Sequence, residues 1–448
     1  MSVFLFDAML TPREKNILII GQVSGNSFYT IAFNGVMTLF LLKIGAKEGL
    51  IGFLAILPSL IGVGSVLLIP WVERNYPSLL KLTAFYIFAL EFLLLPIFLI
   101  AHRLTLFWNV FYYTAFLFLF YIFTQIANLA WLPTIQDYIT EEQRGRFFGT
   151  LRLSFTLFGY LLLRVSSRML GPEPDYIQFF WVITMGVVLS AIWPFSFTQI
   201  SEPKPHTLER EEFSPGRSMR VILNNRELSK YFWFVFIWSF WSGFVGPFMV
   251  PFYKTVLHLP SSFCIYLNSM TLLGMGGLAF AWGKLNDYRG SRFVLFVSFV
   301  LGLIFWIFMA HLKMFPPDRL NHVLVALCFF GGIAGGGQLM GDTTRRMGLA
   351  PETGKVAFYS YLLIVGGQLP AIIASPLAGV FIERHRGFVF HGYGIYEIIF
   401  LTYAVFNLFF LVQILWMKPI REKPVGEIFR DAMNENLMKV RDLIASPP

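Results

Sequence analysis

The sequence predicts an all-α membrane protein in which twelve transmembrane helices form two pseudo-symmetric six-helix bundles. The 448 residues are 56% hydrophobic and only 14% charged, and the mean hydropathy is +0.64, too apolar for a soluble domain of this length. The apolar residues are gathered into segments of about 20 residues, the length that a helix needs to cross about 30 Å of hydrocarbon. Because backbone amides in lipid must be hydrogen-bonded within their own segment, these segments are expected to be helices.

The apolar segments fall into two groups of six. The first group covers residues 17–42, 48–70, 79–101, 105–131, 147–168 and 177–199, and the second covers 231–253, 260–282, 293–312, 320–341, 356–382 and 394–417. Residues 201–230, between the groups, contain prolines and mixed charge, which is typical of a linker. The predicted domains are therefore a bundle at 1–200, a cytoplasmic linker at 201–230, a bundle at 231–418 and an amphipathic cytoplasmic tail at 419–448.

The start of the first helix and the signs of the loops predict the topology. Thr11, Pro12 and Glu14 have the spacing of a helix N-cap with a capping box. Residues 3–10 are too few to span a bilayer and lack a cleavage site, so a signal peptide is not expected. Of the 35 Lys and Arg residues, about 25 fall on one side of the membrane if both termini are cytoplasmic, and this excess predicts that orientation in a cell (inner) membrane.

The charge and the cysteines exclude several other classes of protein. The net charge of +9 is spread over short loops and forms no basic stripe for nucleic acid. Cys264 and Cys328 lie in apolar segments without a second ligand at metal-binding spacing. No cofactor, metal site or nucleic-acid partner is therefore expected. We also find no catalytic motif of the kind that a membrane-embedded enzyme or sensor would need, and an enzyme is not predicted.

A glycine-bearing loop at residues 283–292 separates two of the apolar segments. Gly283 and Gly290 allow a tight turn, and Asp287 and Arg292 can pair with each other or with a neighbouring helix. This spacing resembles the loop signature of the major facilitator superfamily, which in that family joins the second and third helices of each half. The resemblance extends over about residues 12–418 and indicates the superfamily, but no substrate.

Other loops carry parts of the same family pattern. Asp137 and Arg144 match the family's loop after the fourth helix, whereas the first-half copy of the signature keeps only Glu73 and Arg74. The resemblance implies a monomeric secondary transporter that works by alternating access. It also implies that these pairs, with Asp287 and Arg292, hold the outward-facing state as cytoplasmic gates. Arg152, near the cytoplasmic end of the fifth helix, can reach Asp137 or the floor of the cavity, and it is expected to act as a further gating residue.

The resemblance also implies that the first, fourth, seventh and tenth helices line a central cavity. Polar side chains on the first helix recur at intervals of three and four residues and therefore share a face. They line a wet cavity or form hydrogen bonds that hold helices together, and the sequence leaves both interpretations open. The candidate substrate-binding residues on the first and fourth helices are Gln22, Asn26, Tyr29, Asn34, Gln125 and Asn128.

The second half supplies four further candidates. Trp238 and Trp241 share a face of the seventh helix, where indoles either stack on a flat solute or pack against neighbouring helices. Gln338 follows a glycine-rich stretch in the tenth helix that permits close helix crossing, and Gln368 lies among glycines and prolines in the eleventh. All four are predicted to bind substrate.

The charges within the helices favour a class of substrate. No Lys or Arg lies at mid-depth in the first, fourth, seventh or tenth helix, so a small neutral polar solute such as a sugar or nucleoside is expected. Export of an amphipathic drug-like or lipid-like compound is the alternative, because 18% of the residues are aromatic. Glu91, in the middle of the third helix, is either a proton-coupling residue of a symporter or a structural hydrogen-bonded carboxyl group.

Overall fold

The computed structural model describes residues 11–138, 141–199, 220, 223–349 and 362–418. Helices make up nearly all of this part of the chain, and the strands within it are a short hairpin of Val389–Phe390 and Tyr393–Gly394. Most of the predicted linker and the predicted tail at 419–448 lie outside the described residues. The first helix begins after Thr11 with the predicted capping box to Glu14, which confirms that prediction.

Six helical segments, α1 to α6, form the first half. They are α1 (residues 12–43, in the pieces Pro12–Gly25, Ser27–Ile31, Ala32–Val36 and Met37–Lys43), α2 (Glu48–Leu54 and Leu57–Gly64), α3 (Ile69–Ile100), α4 (Leu106–Tyr138), α5 (Glu141–Leu170) and α6 (Tyr176–Ser190 and Ile192–Phe197).

Six further segments, α7 to α12, form the second half. They are α7 (Arg226–Val245, Gly246–Phe248, Met249–Pro251 and Phe252–Val256), α8 (Ser261–Gly277 and Ala279–Arg289), α9 (Ser291–Ala310), α10 (Pro317–Leu349), α11 (Leu362–Gln368 and Leu369–Arg384) and α12 (Ile395–Trp416). Among the described residues, nine helices are long and apolar enough to cross a membrane: α3, α4, α6 and α7 to α12. The chain is a multi-pass membrane protein.

Each half has its own hydrophobic core. Phe28, Phe40 and Phe179 are fully buried in the core of α1 to α6, the N-terminal bundle, and Phe234 and Phe299 are fully buried in the core of α7 to α12, the C-terminal bundle. The two bundles meet mainly where α5 packs along α8 and where α2 packs along α11. The predicted fold class, an all-α membrane protein, is confirmed.

The first helix of each bundle is interrupted and contains a π-helical turn. In α1 the α-helix stops at Asn26, and a π-helical turn follows at Ala32–Val36. In α7 a short 3-10 turn at Gly246–Phe248 is followed by a π-helical turn at Phe252–Val256. The interruptions in α7 accompany two prolines, which lack an N–H group and cannot continue the hydrogen-bond ladder. Interrupted helices free backbone polar groups inside the membrane, where transporters use them for binding.

The loops define two ends of the molecule. The start of α1, the end of α6 and the start of α7 lie at one end, which we call the linker end. The loops α1–α2, α3–α4, α5–α6, α7–α8, α9–α10 and α11–α12 lie at the opposite end, which we call the distal end.

Candidate functional site

The centre of the bundle interface lies where α1, α5 and α8 approach one another. A Cβ atom placed on Gly159 of α5 would lie 3.4 Å from a methyl carbon of Thr30 in α1 and 3.1 Å from a methyl carbon of Leu272 in α8. The absence of a side chain at Gly159 therefore brings three helices from both bundles together at one level. We call the part of the bundle interface around this level the central region.

Tyr29 is a predicted binding residue with an accessible side chain in this region. Its ring lies 4.9 Å from the ring of Phe33, and its hydroxyl group lies close to that of Tyr121 in α4. The Tyr29 side chain is 40% exposed. An accessible phenol can bind a solute through its edge and its ring.

Two predicted glutamines, one from each bundle, contact the same helix, α2. Gln125 of α4 donates a hydrogen bond from Nε2 to the carbonyl oxygen of Pro58, 3.3 Å away. One turn further along α2, a Cβ atom on Gly62 would lie 1.9 Å from Oε1 of Gln368 in α11, so that side chain lies directly on the glycine. The Oε1 atom of Gln368 is buried and accepts no hydrogen bond from a described residue.

The remaining amides of α1 have different surroundings. Asn26 lies at the break in the helix and caps neither piece with its half-buried side chain. The Oε1 atom of Gln22 is buried and has no hydrogen-bond donor among the described residues. Asn128 of α4 is exposed. A buried amide oxygen without a donor is costly unless water or a ligand reaches it.

Asn34 contributes its backbone as well as its side chain. Its Nδ2 atom donates to the carbonyl oxygen of Thr30 at 2.8 Å, and its own carbonyl oxygen accepts a 2.7 Å hydrogen bond from Nδ2 of Asn268 in α8. The next residue, Gly35, has a φ of +113°, and a Cβ atom there would lie 2.8 Å from the Asn268 amide. Glycine is required for this turn, because only it combines the positive φ with the close approach.

Three predicted binding residues lie inside the C-terminal bundle instead. The indole of Trp238 lies 5.6 Å from the ring of Phe299 in α9, and that of Trp241 lies 4.3 Å from the ring of Phe406 in α12. Gln338 lies beside Gly302 of α9, within 3.0 Å of the position of a Cβ atom there. The structure therefore does not bring these three together with the amides of α1 and α4.

Glu91 lies inside the N-terminal bundle, between α3 and α6. It is buried, and its Oε2 atom is hydrogen-bonded to the hydroxyl group of Ser190. The Ser190 oxygen also lies 2.8 Å from the carbonyl oxygen of Val187. Since one hydroxyl hydrogen cannot serve both acceptors, a protonated Glu91 that donates to Ser190 satisfies the whole chain.

The predicted gating residues are only partly described. The side chains of Glu73, Arg74, Asp137, Arg144 and Asp287 lie outside the described part of the structure. Arg292 donates from Nε to the carbonyl oxygen of Ile414 at 2.9 Å and from Nη2 to that of Leu415, at the end of α12. Gly290 ends α8 with a φ of +82°, and the Cβ position of Gly283 faces open space. Arg152 is half-buried on α5.

Sequence reasoning missed the contacts that close the distal end. Glu48, at the start of α2, is buried and pairs with Arg386 beyond α11 at 3.1 Å. Nearby, Lys47 pairs with Glu383 at 3.5 Å. The oppositely charged residues at the end of α11 and the start of α2 were the available signal, but only the tertiary structure shows that these loops meet.

A second ion pair closes the other side of the same end. Lys254 pairs with Glu173 at 2.6 Å, and the backbone amides of Ser261 and Ser262 donate to the carbonyl oxygens of Pro172 and Gly171 at 2.8 and 3.0 Å. Three ion pairs, Lys47 to Glu383, Lys254 to Glu173 and Arg386 to Glu48, therefore join the two bundles at the distal end. These contacts hold the bundles together at that end.

A comparison of families decides what kind of protein has this architecture. The family model described as Major Facilitator Superfamily matches residues 17–337. The chain belongs to the major facilitator superfamily. The resemblance that the loop at 283–292 indicated is thereby confirmed, and this member of the superfamily is a transporter rather than an enzyme. Among curated proteins, none matches the chain.

Three solved structures are similar to this superfamily member. The nucleoside transporter NupG is 14% identical with a TM-score of 0.65, over 90% of this chain and 98% of that chain. The D-xylose-proton symporter is 13% identical with a TM-score of 0.67, over 91% and 97%. A bacterial homologue of the iron transporter ferroportin, in an inward-facing state, is 11% identical with a TM-score of 0.65, over 91% and 99%. At these identities the likeness shows the fold alone.

Proposed function

We propose that this protein is a secondary transporter that moves a small polar solute, similar to a sugar or a nucleoside, by alternating access of its two bundles. The observation that carries the proposal is the distal end, where Glu48, Glu173 and their partners join the bundles, while Tyr29 in the central region keeps 40% of its side chain exposed. We take the linker end as cytoplasmic. The structure then corresponds to the state that faces the cytoplasm.

The class of solute follows from the groups that the central region presents. Tyr29 and Tyr121 offer hydroxyl groups, and Gln22, Gln125 and Gln368 offer amides, two of them with buried oxygens that have no described donor. Hydroxyl groups of a solute can donate to such oxygens, and a flat ring can pack on a phenol. The similar structures named as nucleoside and D-xylose transporters support this choice.

Proton coupling is the second part of the proposal, and Glu91 would carry the proton. Support comes from its burial in α3 and from the hydrogen bond to Ser190, which has a second acceptor at Val187. Loss of the proton would leave a charge inside the N-terminal bundle, where a carboxylate is expensive. Protonation of Glu91 would therefore change the stability of that bundle and bias the alternation.

A ligand screen by thermal denaturation tests the proposed solute class. Sugars and nucleosides should raise the melting temperature of the purified protein in a saturable way, and Asn26→Ala and Gln125→Ala should each weaken this effect about tenfold or more. Gln178→Ala is the matched control, because Gln178 caps α6 at the distal end. Stabilisation by amphipathic cations or lysolipids, without any response to sugars or nucleosides, would contradict the proposal and favour export of amphipathic compounds.

A further inference from the structure

An arginine on α5 lies two turns from the central region, on the linker side. Arg152 lies 11 residues after Glu141 and 18 before Leu170 at the ends of α5, or about 16 Å and 27 Å along the helix axis. Seven residues separate it from Gly159, so both share one face of the helix. Gly159 contacts α1 and α8, and Arg152 therefore points between the two bundles, two turns nearer the linker end.

The other side of α5 identifies the lipid face. Leu153, Leu157 and Leu161 recur every four residues and are all exposed. Arg152 does not belong to this stripe and is half-buried. Its guanidinium group therefore cannot be explained as a side chain that reaches past the lipid to the headgroups.

No described group neutralises this arginine. Among the residues with described side chains, no carboxylate lies within ion-pair distance of Arg152, and its guanidinium group makes no hydrogen bond. A cation inside a membrane span is costly unless it has a partner or reaches water, and such residues mark substrate pathways. Glu91, the described carboxyl group within the N-terminal bundle, is engaged by Ser190 instead.

An unpaired amide oxygen lies at the same depth. Thr30 of α1 lies level with Gly159, and α1 and α5 run in the same direction. Gln22 lies eight residues before Thr30, and Arg152 lies seven residues before Gly159. The Cα atoms of Gln22 and Arg152 therefore lie at nearly the same height along the two helices. The buried Oε1 atom of Gln22, which has no described donor, is a second and independent indication that a ligand or water occupies this level.

We propose that the transported solute carries an anionic oxygen group, a carboxylate or a phosphate, and that Arg152 is the residue that binds it. The inference rests on the proposed function and specifies its substrate class. The planar guanidinium group forms two parallel hydrogen bonds to either kind of anion, while Gln22 accepts a hydrogen bond from a hydroxyl group of the same solute. The expectation of a neutral solute was based on the charges of the first, fourth, seventh and tenth helices. It did not take the charge of Arg152 on α5 into account.

A second arginine of α5 does not share this role. Arg164 lies over the ring of Tyr266 in α8, 4.2 Å from its centroid. It stands 12 residues from Arg152, about 18 Å along the axis, too far to bind the same group. Its cation–π contact joins the bundles nearer the distal end.

Matched pairs of solutes test the inference. Each test compares a neutral solute with its anionic counterpart, by thermal denaturation and by counterflow into proteoliposomes. The pairs are hexoses with hexose 6-phosphates, hexoses with their uronates, and nucleosides with nucleoside monophosphates. The anionic member of at least one pair should bind about tenfold or more tightly than its neutral parent. Arg152→Gln should remove this preference, and Arg152→Lys should restore part of it. Arg168→Gln, an exposed change on the same helix, is the control.

The outcomes separate the inference from the function on which it rests. Equal binding and flux of neutral and anionic members, unchanged in Arg152→Gln, would overturn the inference and leave the proposed function intact. Absence of binding and flux for every member of every pair would overturn the proposed function, and the inference with it. If Arg152→Gln fails to fold, the parent protein still decides through its preference within each pair.

Discussion

Arg386 of the C-terminal bundle and Glu48 of the N-terminal bundle form an ion pair with Nη2 and Oε1 3.1 Å apart. The Glu48 side chain is only 2% exposed, while that of Arg386 remains 56% exposed. Tyr396 lies 3.4 Å from the same carboxylate oxygen. The pair therefore joins a buried carboxylate to the distal loop of the opposite bundle, and it has to break when this end opens.

Glu48→Gln should open the distal end more often. Removing the charge should lower the population of the closed state, relative to the open state, about tenfold. The effect is smaller than that of breaking a fully buried ion pair, because Arg386 is partly solvated. The measurement is the alkylation rate of Ala46→Cys, a buried distal position, after both native cysteines are replaced. Lys313→Gln is the control, since its partner Glu397 lies in the same bundle. Equal rates in the parent and in Glu48→Gln would contradict the gate.

Gly35→Ala should destabilise the protein more than Gly45→Ala. Both glycines have positive φ values, +113° and +91°, so each substitution costs about 1–2 kcal/mol of backbone strain. Only at Gly35 would the new methyl group collide with Asn268, at 2.8 Å, whereas nothing lies within 4 Å at Gly45. Thermal denaturation of both variants measures the difference. Equal melting temperatures would mean that the contact between Asn34 and Asn268 contributes nothing.

Gly62→Val should displace Gln368 and impair transport. The first added carbon already lies 1.9 Å from Oε1 of Gln368, while the neighbouring Gly64 has nothing within 4 Å. Gly64→Val controls for the loss of a helical glycine in α2. Because the clash involves the end of one side chain, Gln368→Ala should recover stability in the double variant. Initial uptake rates and melting temperatures give the readout, and additive effects of the two substitutions would argue against their contact.

Glu91→Gln should separate exchange of solute from accumulation driven by protons. The amide can keep a hydrogen bond to Ser190 but cannot release a proton, so counterflow should continue while an inward proton gradient no longer drives uptake. Ser190→Ala is the companion variant, because it removes the partner and leaves the carboxyl group. Unchanged accumulation in Glu91→Gln would assign Glu91 a structural role only.

Sequence reasoning was strongest where one helix acts alone. The capping box at Thr11 and Glu14 needs only local geometry, and the structure confirms it. Tyr29 was expected on the face of α1 that Gln22 and Asn26 share, with Asn34 beside it, and in the structure the Asn34 carbonyl oxygen accepts a hydrogen bond from Asn268 of the other bundle. Predictions of a shared helix face need only local geometry, because residues three and four apart on a helix are neighbours whatever the rest of the fold does.

Prediction from the sequence was weakest where the result depends on how a helix is rotated about its own axis. Trp238 and Trp241 were correctly assigned to a shared face of α7, but that face packs on α9 and α12. An aromatic face looks the same in the sequence whether it lines a cavity or a neighbouring helix. Gln338 faces α9 for the same reason. Arg152 was expected to reach Asp137 or the floor of the cavity, with a gating role preferred, and the contacts of Gly159, seven residues along α5, turn this face of the helix toward α1 and α8.

The sequence by itself determined that the chain is a membrane protein of twelve apolar segments in two groups, and that it resembles the superfamily to which it belongs. These properties depend on hydropathy and on short loops, which are local. Only the tertiary structure decided that Gln125 and Gln368 both contact α2, that Glu48 reaches Arg386, and that Gly159 of α5 lies between α1 and α8. Such contacts join residues far apart in the chain, and they depend on how each helix is rotated and packed against its neighbours.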